Sequence, residues 1–427
     1  MTSTGTGTGT GLRRTLGVRD AVVVGLGSMI GAGVFSALGP AARAAGTGLL
    51  LGLAVAAVVA YCNAMSSARL AASYPASGGT YVYGRERLGP FWGYLAGWAF
   101  VVGKTASCAA MALTVGSYVW PGHEHVVAVA AVVVLTAVNY GGIQKSAWVT
   151  RVIVAVVLAV LAAVVVVCLA SGRADAGRLD IGLPSGVGGV LQAAGLLFFA
   201  FAGYARIATL GEEVRDPART IPRAIPLALG ITLVVYVAVA VAALGVLGAG
   251  RLGHAAAPLA DAVRAAGVPS LVPVVRAGAA VAALGSLLAL ILGVSRTTLA
   301  MARDRHLPAA LAAVHPRFQV PHRAELAVGA VVAVLAATVD LRGAIGFSSF
   351  GVLAYYAVAN ASAWTLDPAP RSRLVPAVGL LGCATLAFAL PALSVATGAA
   401  VLAVGVAAYG VRRWWAGRTG GSPAERP

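Results

Sequence analysis

The stretch that decides the fold reads Val-Val-Val-Gly-Leu-Gly-Ser-Met-Ile-Gly-Ala-Gly-Val-Phe over residues 22–35, an apolar segment with four glycines in its middle. Inside a helix each glycine costs about 1 kcal/mol relative to alanine, so a segment that only had to cross lipid would not concentrate them. Peptide groups released in hydrocarbon are costly unless something binds them. The stretch therefore predicts a membrane helix that breaks where its backbone lines a cavity.

The same letters also fit a strand that leads into a dinucleotide-binding turn, because Gly25-x-Gly27 follows three valines. Such a turn needs a soluble βαβ unit and an acidic residue about 20 positions further on. Residues 44–60 contain no acidic residue. The membrane interpretation is therefore favoured over a nucleotide site.

The composition is that of a polytopic membrane protein. The chain is 59% hydrophobic and only 11% charged, with a mean hydropathy of +0.88, whereas soluble domains are about a quarter charged. The formal net charge of +17 does not indicate nucleic-acid binding, because Lys and Arg lie in the connectors between apolar spans. These basic residues are about three times as frequent on the side of the N-terminus, which predicts that both termini are cytoplasmic.

Spans of about 20 apolar residues predict twelve transmembrane helices. They lie near residues 20–42, 47–69, 91–119, 126–141, 148–170, 188–210, 225–249, 271–301, 324–340, 343–365, 374–390 and 392–411. Residues 1–14 are expected to form a disordered tail, 15–411 the transporter domain and 412–427 a cytoplasmic tail. The outer connector 250–270 has the pattern of a short amphipathic helix that could cover the outer mouth.

A second interruption lies in the sixth span, where residues 195–213 again place small residues in mid-span, among Phe198, Phe199, Phe201 and Tyr204. Breaks in spans one and six fit an inverted five-plus-five repeat, with repeats at about 20–170 and 188–365 and two extra helices within 374–411. Half-helix ends would then meet at the bilayer midplane. Their free N–H groups suit a carboxylate and their free carbonyls an ammonium group, so the backbone alone predicts a clamp for an α-amino acid.

Two charged side chains fall well inside the predicted spans, Lys104 in the third and Arg206 in the sixth, whereas no Asp or Glu is expected deep in any span. A charge at the bilayer centre costs about 2.5–3.5 kcal/mol, so each should have a use. Lys104 is predicted to carry a proton that couples uptake to the proton gradient. Arg206 is expected either to bond carbonyls of the broken helix or to recognise an anionic group.

Charges of alternating sign crowd the inner end of span six. They are Glu212, Glu213, Arg215, Asp216, Arg219 and Arg223. Two interpretations remain open, an ion-pair network that breaks and re-forms between states, and a solvated cytoplasmic cap.

At these residues the chain resembles the amino acid, polyamine and organocation (APC) superfamily of permeases, and the resemblance covers residues 15 to about 415. Three stretches carry it: Gly27-Ser-Met-Ile-Gly-Ala-Gly-Val-Phe35; Tyr74-Pro-Ala-Ser-Gly-Gly-Thr-Tyr-Val-Tyr83 with Gly89 and Gly97-Trp98; and Phe201-Ala-Gly-Tyr204 with Gly211-Glu-Glu-Val-Arg-Asp-Pro217 and Ile221-Pro222. The resemblance implies an all-α polytopic membrane protein of the LeuT-type fold, with helices 1 and 6 discontinuous.

The resemblance also implies roles for individual residues. The expected substrate-binding residues are Met29, Ile30, Gly31, Ala32, Gly33, Phe199, Ala200, Phe201, Ala202 and Gly203, and the expected gating or structural residues are Phe199, Tyr204, Arg206, Glu212 and Glu213. Proton-coupled relatives carry a lysine in the fifth span, where this sequence has Val156 and Val157. Lys104, facing Ser286 in span eight, is the expected replacement.

The sequence thus predicts a secondary transporter in the plasma membrane that moves amino acids by alternating access, with proton-coupled uptake. An exchanger without proton coupling is the nearest alternative, and a channel or a membrane-embedded enzyme is a more distant one. No cofactor or metal is expected, since the six histidines fall in connectors and His123-x-His125 lacks the further ligands of a zinc site. The expected partners are an amino acid, a proton and the lipid bilayer, not nucleic acid.

Overall fold

The computed structural model describes residues 16–74, 78–142, 147–180, 183, 185–208 and 214–418, and the described part is built from helices. In chain order they are α1 (Val18–Met29), α2 (Ala32–Ser36), α3 (Leu38–Ala45), α4 (Leu49–Ser73), α5 (Thr80–Leu88), α6 (Pro90–Val119), α7 (Glu124–Tyr140), α8 (Ala147–Ala170), α9 (Gly186–Phe201), α10 (Ala205–Ala208), α11 (Pro217–His254), α12 (Pro258–Ala265), α13 (Val272–Arg303), α14 (His322–Thr338), α15 (Leu341–Trp364), α16 (Pro370–Ala389) and α17 (Ala392–Arg418).

Every predicted span has a helical counterpart among these elements. In the described residues, ten helical stretches are long and apolar enough to cross a membrane, which makes the chain a multi-span membrane protein. The predicted spans four and nine correspond to α7 and α14, which have only 17 residues each. The predicted tail at residues 1–14 lies outside the described residues.

Helix ends are where the structure departs most from the predicted spans. The seventh span was expected to begin at 225, but α11 begins at Pro217, where a proline can occupy the first turn without losing a hydrogen bond. The last helix is longer than the predicted span 392–411, because α17 runs to Arg418.

Small residues set the spacing of the helices at the centre of the bundle, where α6 packs against α13 and α15. A Cβ atom on Gly351 of α15 would lie 2.8 Å from the Gly103 Cα of α6, so only glycine fits at this crossing. Close backbone approach through small residues is a common way for helices to associate in lipid. The two glycines hold α6 beside the region where α1 and α9 are interrupted.

The connector 250–270 contains the expected short helix, α12, whose Leu259 is fully buried. The Tyr118 hydroxyl at the end of α6 accepts a hydrogen bond from the Leu259 N–H at 3.2 Å and donates one to the Phe35 carbonyl at 2.9 Å. One buried hydroxyl therefore joins α12, α6 and α2.

We predict that Tyr118→Phe lowers the free energy of unfolding by about 1–3 kcal/mol, because it leaves a buried N–H and a buried carbonyl without their partner. The measurement is thermal unfolding of the protein in detergent. Tyr61→Phe is the matched control, since the Tyr61 side chain is 46% exposed and its hydroxyl can be lost at little cost. Equal unfolding temperatures for the two variants would contradict the bridging role of Tyr118.

Candidate functional site

The first predicted break is present between α1 and α2. Ile30 has φ −81° and ψ 62° and Gly31 has φ −114° and ψ −135°, so neither is helical. The Gly31 N–H turns back to the Met29 carbonyl at 2.9 Å. Beyond the break, the first N–H groups of α2 have no acceptor within their own helix, which leaves Ala32 and Gly33 with the N–H groups best suited to an anionic group.

The second break is milder than expected. The α9 helix ends at Phe201, a single 3₁₀ turn covers Ala202–Tyr204, and α10 resumes the α-helix at Ala205. A 3₁₀ turn shifts hydrogen bonds from i−4 to i−3 and so frees fewer carbonyls than an extended break would. The sequence indicated the position of this interruption, but its small residues did not distinguish a tightened turn from an unwound segment.

Two glycines bring the two breaks into direct contact. A Cβ atom on Gly33 would lie 2.6 Å from Ala200 Cα, and one on Gly203 would lie 2.1 Å from the Ser28 carbonyl oxygen. Real Cβ contacts are never this short, so each glycine is required by the backbone of the opposite helix. The expected substrate-binding residues 29–33 and 199–203 therefore lie on one continuous backbone surface.

Tyr236 of α11 bridges the two breaks, a role for which the only sequence signal was a hydroxyl in an apolar span. Its hydroxyl contacts the Met29 carbonyl at 2.6 Å and the Ala200 carbonyl at 3.0 Å. Both carbonyls were expected to receive a substrate ammonium group. Each carbonyl oxygen has two lone pairs, so a substrate would share these acceptors with Tyr236.

Lys104 and Ser286 lie at different breaks. Lys104 of α6 is buried and donates from Nζ to the Ala202 carbonyl at 3.1 Å, at the second break. Ser286 of α13 lies at the first break, where a Cβ on Gly31 would meet its Oγ at 2.1 Å. The buried Ser286 Oγ has no hydrogen-bond partner in the described part of the chain. It is therefore the polar atom at the first break that is available to a ligand.

Of the aromatic residues at the second break, some pack on neighbouring rings and one remains a candidate gate. Phe199 is buried beside the contact between the two breaks, whereas Tyr204 stacks on Tyr356 of α15 at a centroid distance of 5.1 Å. Phe201 packs on the ring of Tyr236 at 5.1 Å. Tyr204 and Phe201 thus fix the second break against its neighbours, and Phe199 remains the candidate gate.

The acidic and basic residues expected near the gate do not form a buried cluster in the described residues. Arg206 was expected well inside the sixth span, and its side chain on α10 is exposed at the surface of the protein. Glu212 and Glu213 lie outside the described residues, and the neighbouring Asp216 pairs with Arg219 at 3.7 Å.

A cavity of about 280 Å³ lies on the predicted outer side of the first break. Ser36, at the end of α2, and Ser117, near the end of α6, are part of its wall. Charged side chains complete it, among them Arg43 of α3, Glu124 of α7 and Asp340 before α15. The cavity therefore has space for a polar solute about one helical turn after Gly33.

On the predicted inner side, α5 contacts the connector after α13. The Tyr81 hydroxyl of α5 donates to the Asp304 carboxylate and lies 2.8 Å from His306 Nδ1. Arg85 reaches the same carboxylate at 3.3 Å. Burial and the Arg412 guanidinium lower the pKa of His306, so this contact does not depend on a charged imidazole at neutral pH.

One buried carboxylate was not singled out from the sequence. Glu325, at the start of the predicted ninth span and in the first turn of α14, is 0% exposed. The signal available in the sequence was its spacing, four residues before Gly329 on the apolar face of the helix.

Comparison with known proteins decides the family. Residues 20–416 match the family described as "Amino acid permease". The chain belongs to the amino acid permease family. It is therefore a transporter and not an enzyme, as the sequence predicted.

Individual relatives of this permease differ in similarity. An uncharacterized transporter of Mycobacterium tuberculosis is 79% identical over 404 residues, covering 94% of this chain and 92% of the relative. The branched-chain amino acid permease BcaP of Bacillus subtilis is 27% identical, covering 89% and 87%. Cationic amino acid transporter 4 of Homo sapiens is 30% identical, covering 81% of this chain and 58% of the relative.

We predict that Gly203→Ala destabilises the permease and abolishes substrate binding, because the added Cβ would overlap the Ser28 carbonyl of the first break. Overpacking of this kind costs about 1–3 kcal/mol. Thermal unfolding and ligand-induced thermal shift measure the two effects. Gly230→Ala in α11 is the control, since nothing lies within 4 Å of a Cβ there. Unchanged binding in Gly203→Ala would show that the two breaks need not touch.

Proposed function

We propose that this permease moves amino acids across the plasma membrane by alternating access, as proton-coupled uptake in a LeuT-type fold with both termini cytoplasmic. The observation that carries the proposal is the contact between the two helix breaks through Gly33 and Gly203. This contact supports a site in which the N–H groups of α2 and the carbonyls of α9 act together. Broken helices at corresponding places in two halves of a chain are typical of transporter sites.

The backbone supplies both halves of an α-amino acid clamp. The N–H groups of Ala32 and Gly33, at the positive end of a half-helix, suit the carboxylate. The carbonyls of Met29, Ala200 and Ala202 suit the ammonium group, which would share them with Tyr236 and Lys104. The side chain of the substrate would then lie against Phe199.

The charge at the site favours neutral amino acids. Lys104 is a charged side chain that reaches the second break, and a substrate with a side-chain cation in addition to its α-ammonium group would be repelled more strongly than a zwitterion of zero net charge. Some relatives are named cationic amino acid transporters and another a branched-chain amino acid permease. The site fits the branched-chain name better than the cationic one.

Lys104 is the proposed coupling residue. A buried ammonium group that binds a carbonyl holds the second break in place, and loss of its proton weakens that hold because a neutral amine is a poorer donor. Protonation would thus favour the packed arrangement of the two breaks. Substrate and proton would stabilise the same conformation, which is the condition for coupling.

An exchanger without proton coupling is the second candidate. It is favoured by Val156 and Val157, which occupy the place where proton-coupled relatives are expected to carry a lysine. Val157 is fully buried and Val156 is 45% exposed on α8, so neither offers a titratable group there. An exchanger needs amino acid inside the vesicle, whereas a symporter accumulates it in empty vesicles.

The substrate can be found by a thermal-shift screen of the purified protein against the amino acids. Methylthioribose is included, because a relative in Bacillus subtilis is named methylthioribose transporter. We expect neutral amino acids with apolar side chains to raise the unfolding temperature and arginine or lysine to have no effect. Stabilisation by arginine alone would contradict the proposed selectivity.

We predict that Lys104→Gln keeps counterflow exchange but loses accumulation driven by a pH gradient, because glutamine can bind the Ala202 carbonyl and cannot carry a proton. The loss is measured as uptake, into proteoliposomes with and without a pH gradient, of the amino acids that raise the unfolding temperature. Lys104→Arg is the matched variant, since it keeps a permanent charge and should also lose pH-driven uptake. Full gradient-driven uptake in Lys104→Gln would exclude Lys104 as the coupling residue.

A further inference from the structure

The seam between α7 and α14 contains an unusual group of buried polar atoms. Both carboxylate oxygens of Glu325, the Nδ1 atom of His322 and the Oγ1 atom of Thr136 are buried and have no hydrogen-bond partner among the described residues. In well-packed proteins almost all such atoms are paired with protein or with ordered water. Four unpaired atoms along one helix pair therefore call for a common explanation.

Contacts along the seam show that these atoms share one face. A Cβ on Gly329 would lie 2.6 Å from Thr136 Oγ1, so this face of α14 packs directly on α7. Glu325 and Gly329 are four residues apart and lie on the same side of the helix. His322, three residues before Glu325, places its ring 6.2 Å from that of Tyr140 on α7. Glu325 thus lies between two contacts with α7.

Burial determines the charge of this carboxyl group. An ionised carboxylate with neither a hydrogen bond nor a paired cation is far more costly to bury than a neutral acid. Arg296 of α13 is the cation whose charge acts on Glu325, but its side chain is exposed and makes no ion pair with Glu325 within 4.0 Å. The geometry therefore favours the neutral, protonated form in the present conformation.

Other ionisable groups lie near the seam, but among the described residues none forms a hydrogen bond with the Glu325 carboxyl group. Tyr140 is on α7, and His315, in the connector before α14, lies 5.4 Å from the ring of His322. His315 Nδ1 accepts hydrogen bonds from the Arg317 and Phe318 amides at 3.2 Å. Lys104, the charged residue of α6, is bound to the second helix break.

We propose that Glu325 is a proton-binding site on the cytoplasmic side of the permease and that His322 connects it to the cytoplasm. The four unpaired atoms offer the two to four polar partners that one buried water needs. His322 is partly exposed while its Nδ1 atom is buried, so the ring reaches from the seam to the surface. This inference rests on proton-coupled transport, and it adds a second proton position to Lys104.

Proton release can be written as one transfer. The O–H bond of Glu325 breaks and its proton passes through the water to the lone pair on His322 Nδ1, which leaves a carboxylate and an imidazolium. The imidazolium then loses its Nε2 proton to the cytoplasm and is again neutral. The transfer is favourable when the inner end of α14 is hydrated or when Arg296 moves closer, because both stabilise the carboxylate. A conformation open to the inside would therefore release the proton inward.

Infrared difference spectroscopy tests the site without any need for transport. We expect the wild-type protein at neutral pH to show the C=O band of a protonated, buried carboxylic acid, shifted when glutamate is isotopically labelled. The band should be lost in Glu325→Gln and retained in Glu86→Gln, whose carboxylate is exposed on α5. Absence of the band in the wild-type protein would overturn the proposal even if Glu325→Gln did not fold.

Proteoliposome uptake separates this inference from the proposed function. Glu325→Gln, which resembles the protonated form, should keep counterflow exchange and lose accumulation driven by a pH gradient, and His322→Gln should slow that accumulation. Gradient-driven uptake at the wild-type level in Glu325→Gln would refute Glu325 as a proton-binding site and leave the proposed transport function standing. A wild-type protein that shows the band but has no pH-driven uptake would refute the coupled function and leave Glu325 as a proton site.

Discussion

The structure depends on how it satisfies the peptide groups released where the first membrane span breaks. In hydrocarbon no water is available to bond the backbone around Ile30 and Gly31, so neighbouring helices must do so. The Tyr236 hydroxyl contacts the carbonyls of Met29 and Ala200, and the Lys104 ammonium group binds that of Ala202. Two side chains from neighbouring helices thus make two interrupted helices tolerable, at the place proposed for the substrate.

Close contact between the interrupted helices is the second requirement, and it explains the glycines. Gly33 and Gly203 each face the backbone of the other segment at distances that exclude any side chain. Their cost in helix stability of about 1 kcal/mol each is offset by an arrangement in which the donors of one segment and the acceptors of the other share one surface. The same arrangement limits recognition to groups that peptide units can bind, which are the parts common to all α-amino acids.

Much of this could be predicted from the sequence. Hydropathy located the helices, and the glycines located both breaks, because apolar length and glycine content act locally. Partners from distant segments could not be predicted, since nothing in the spacing of Tyr236 relates it to Met29. The second break was expected to unwind further than its 3₁₀ turn. The full burial of Glu325 could not be predicted, because it depends on how α14 packs against α7.

The central claim is that the peptide groups of the two breaks hold the substrate. It is tested most directly by electron cryomicroscopy of the permease in lipid nanodiscs with a stabilising amino acid bound. The predicted result is density with its carboxylate at the N–H groups of Ala32 and Gly33 and its amino group at the carbonyls of Met29, Ala200 or Ala202. An amino acid bound elsewhere, with residues 29–33 forming a continuous α-helix, would contradict the claim.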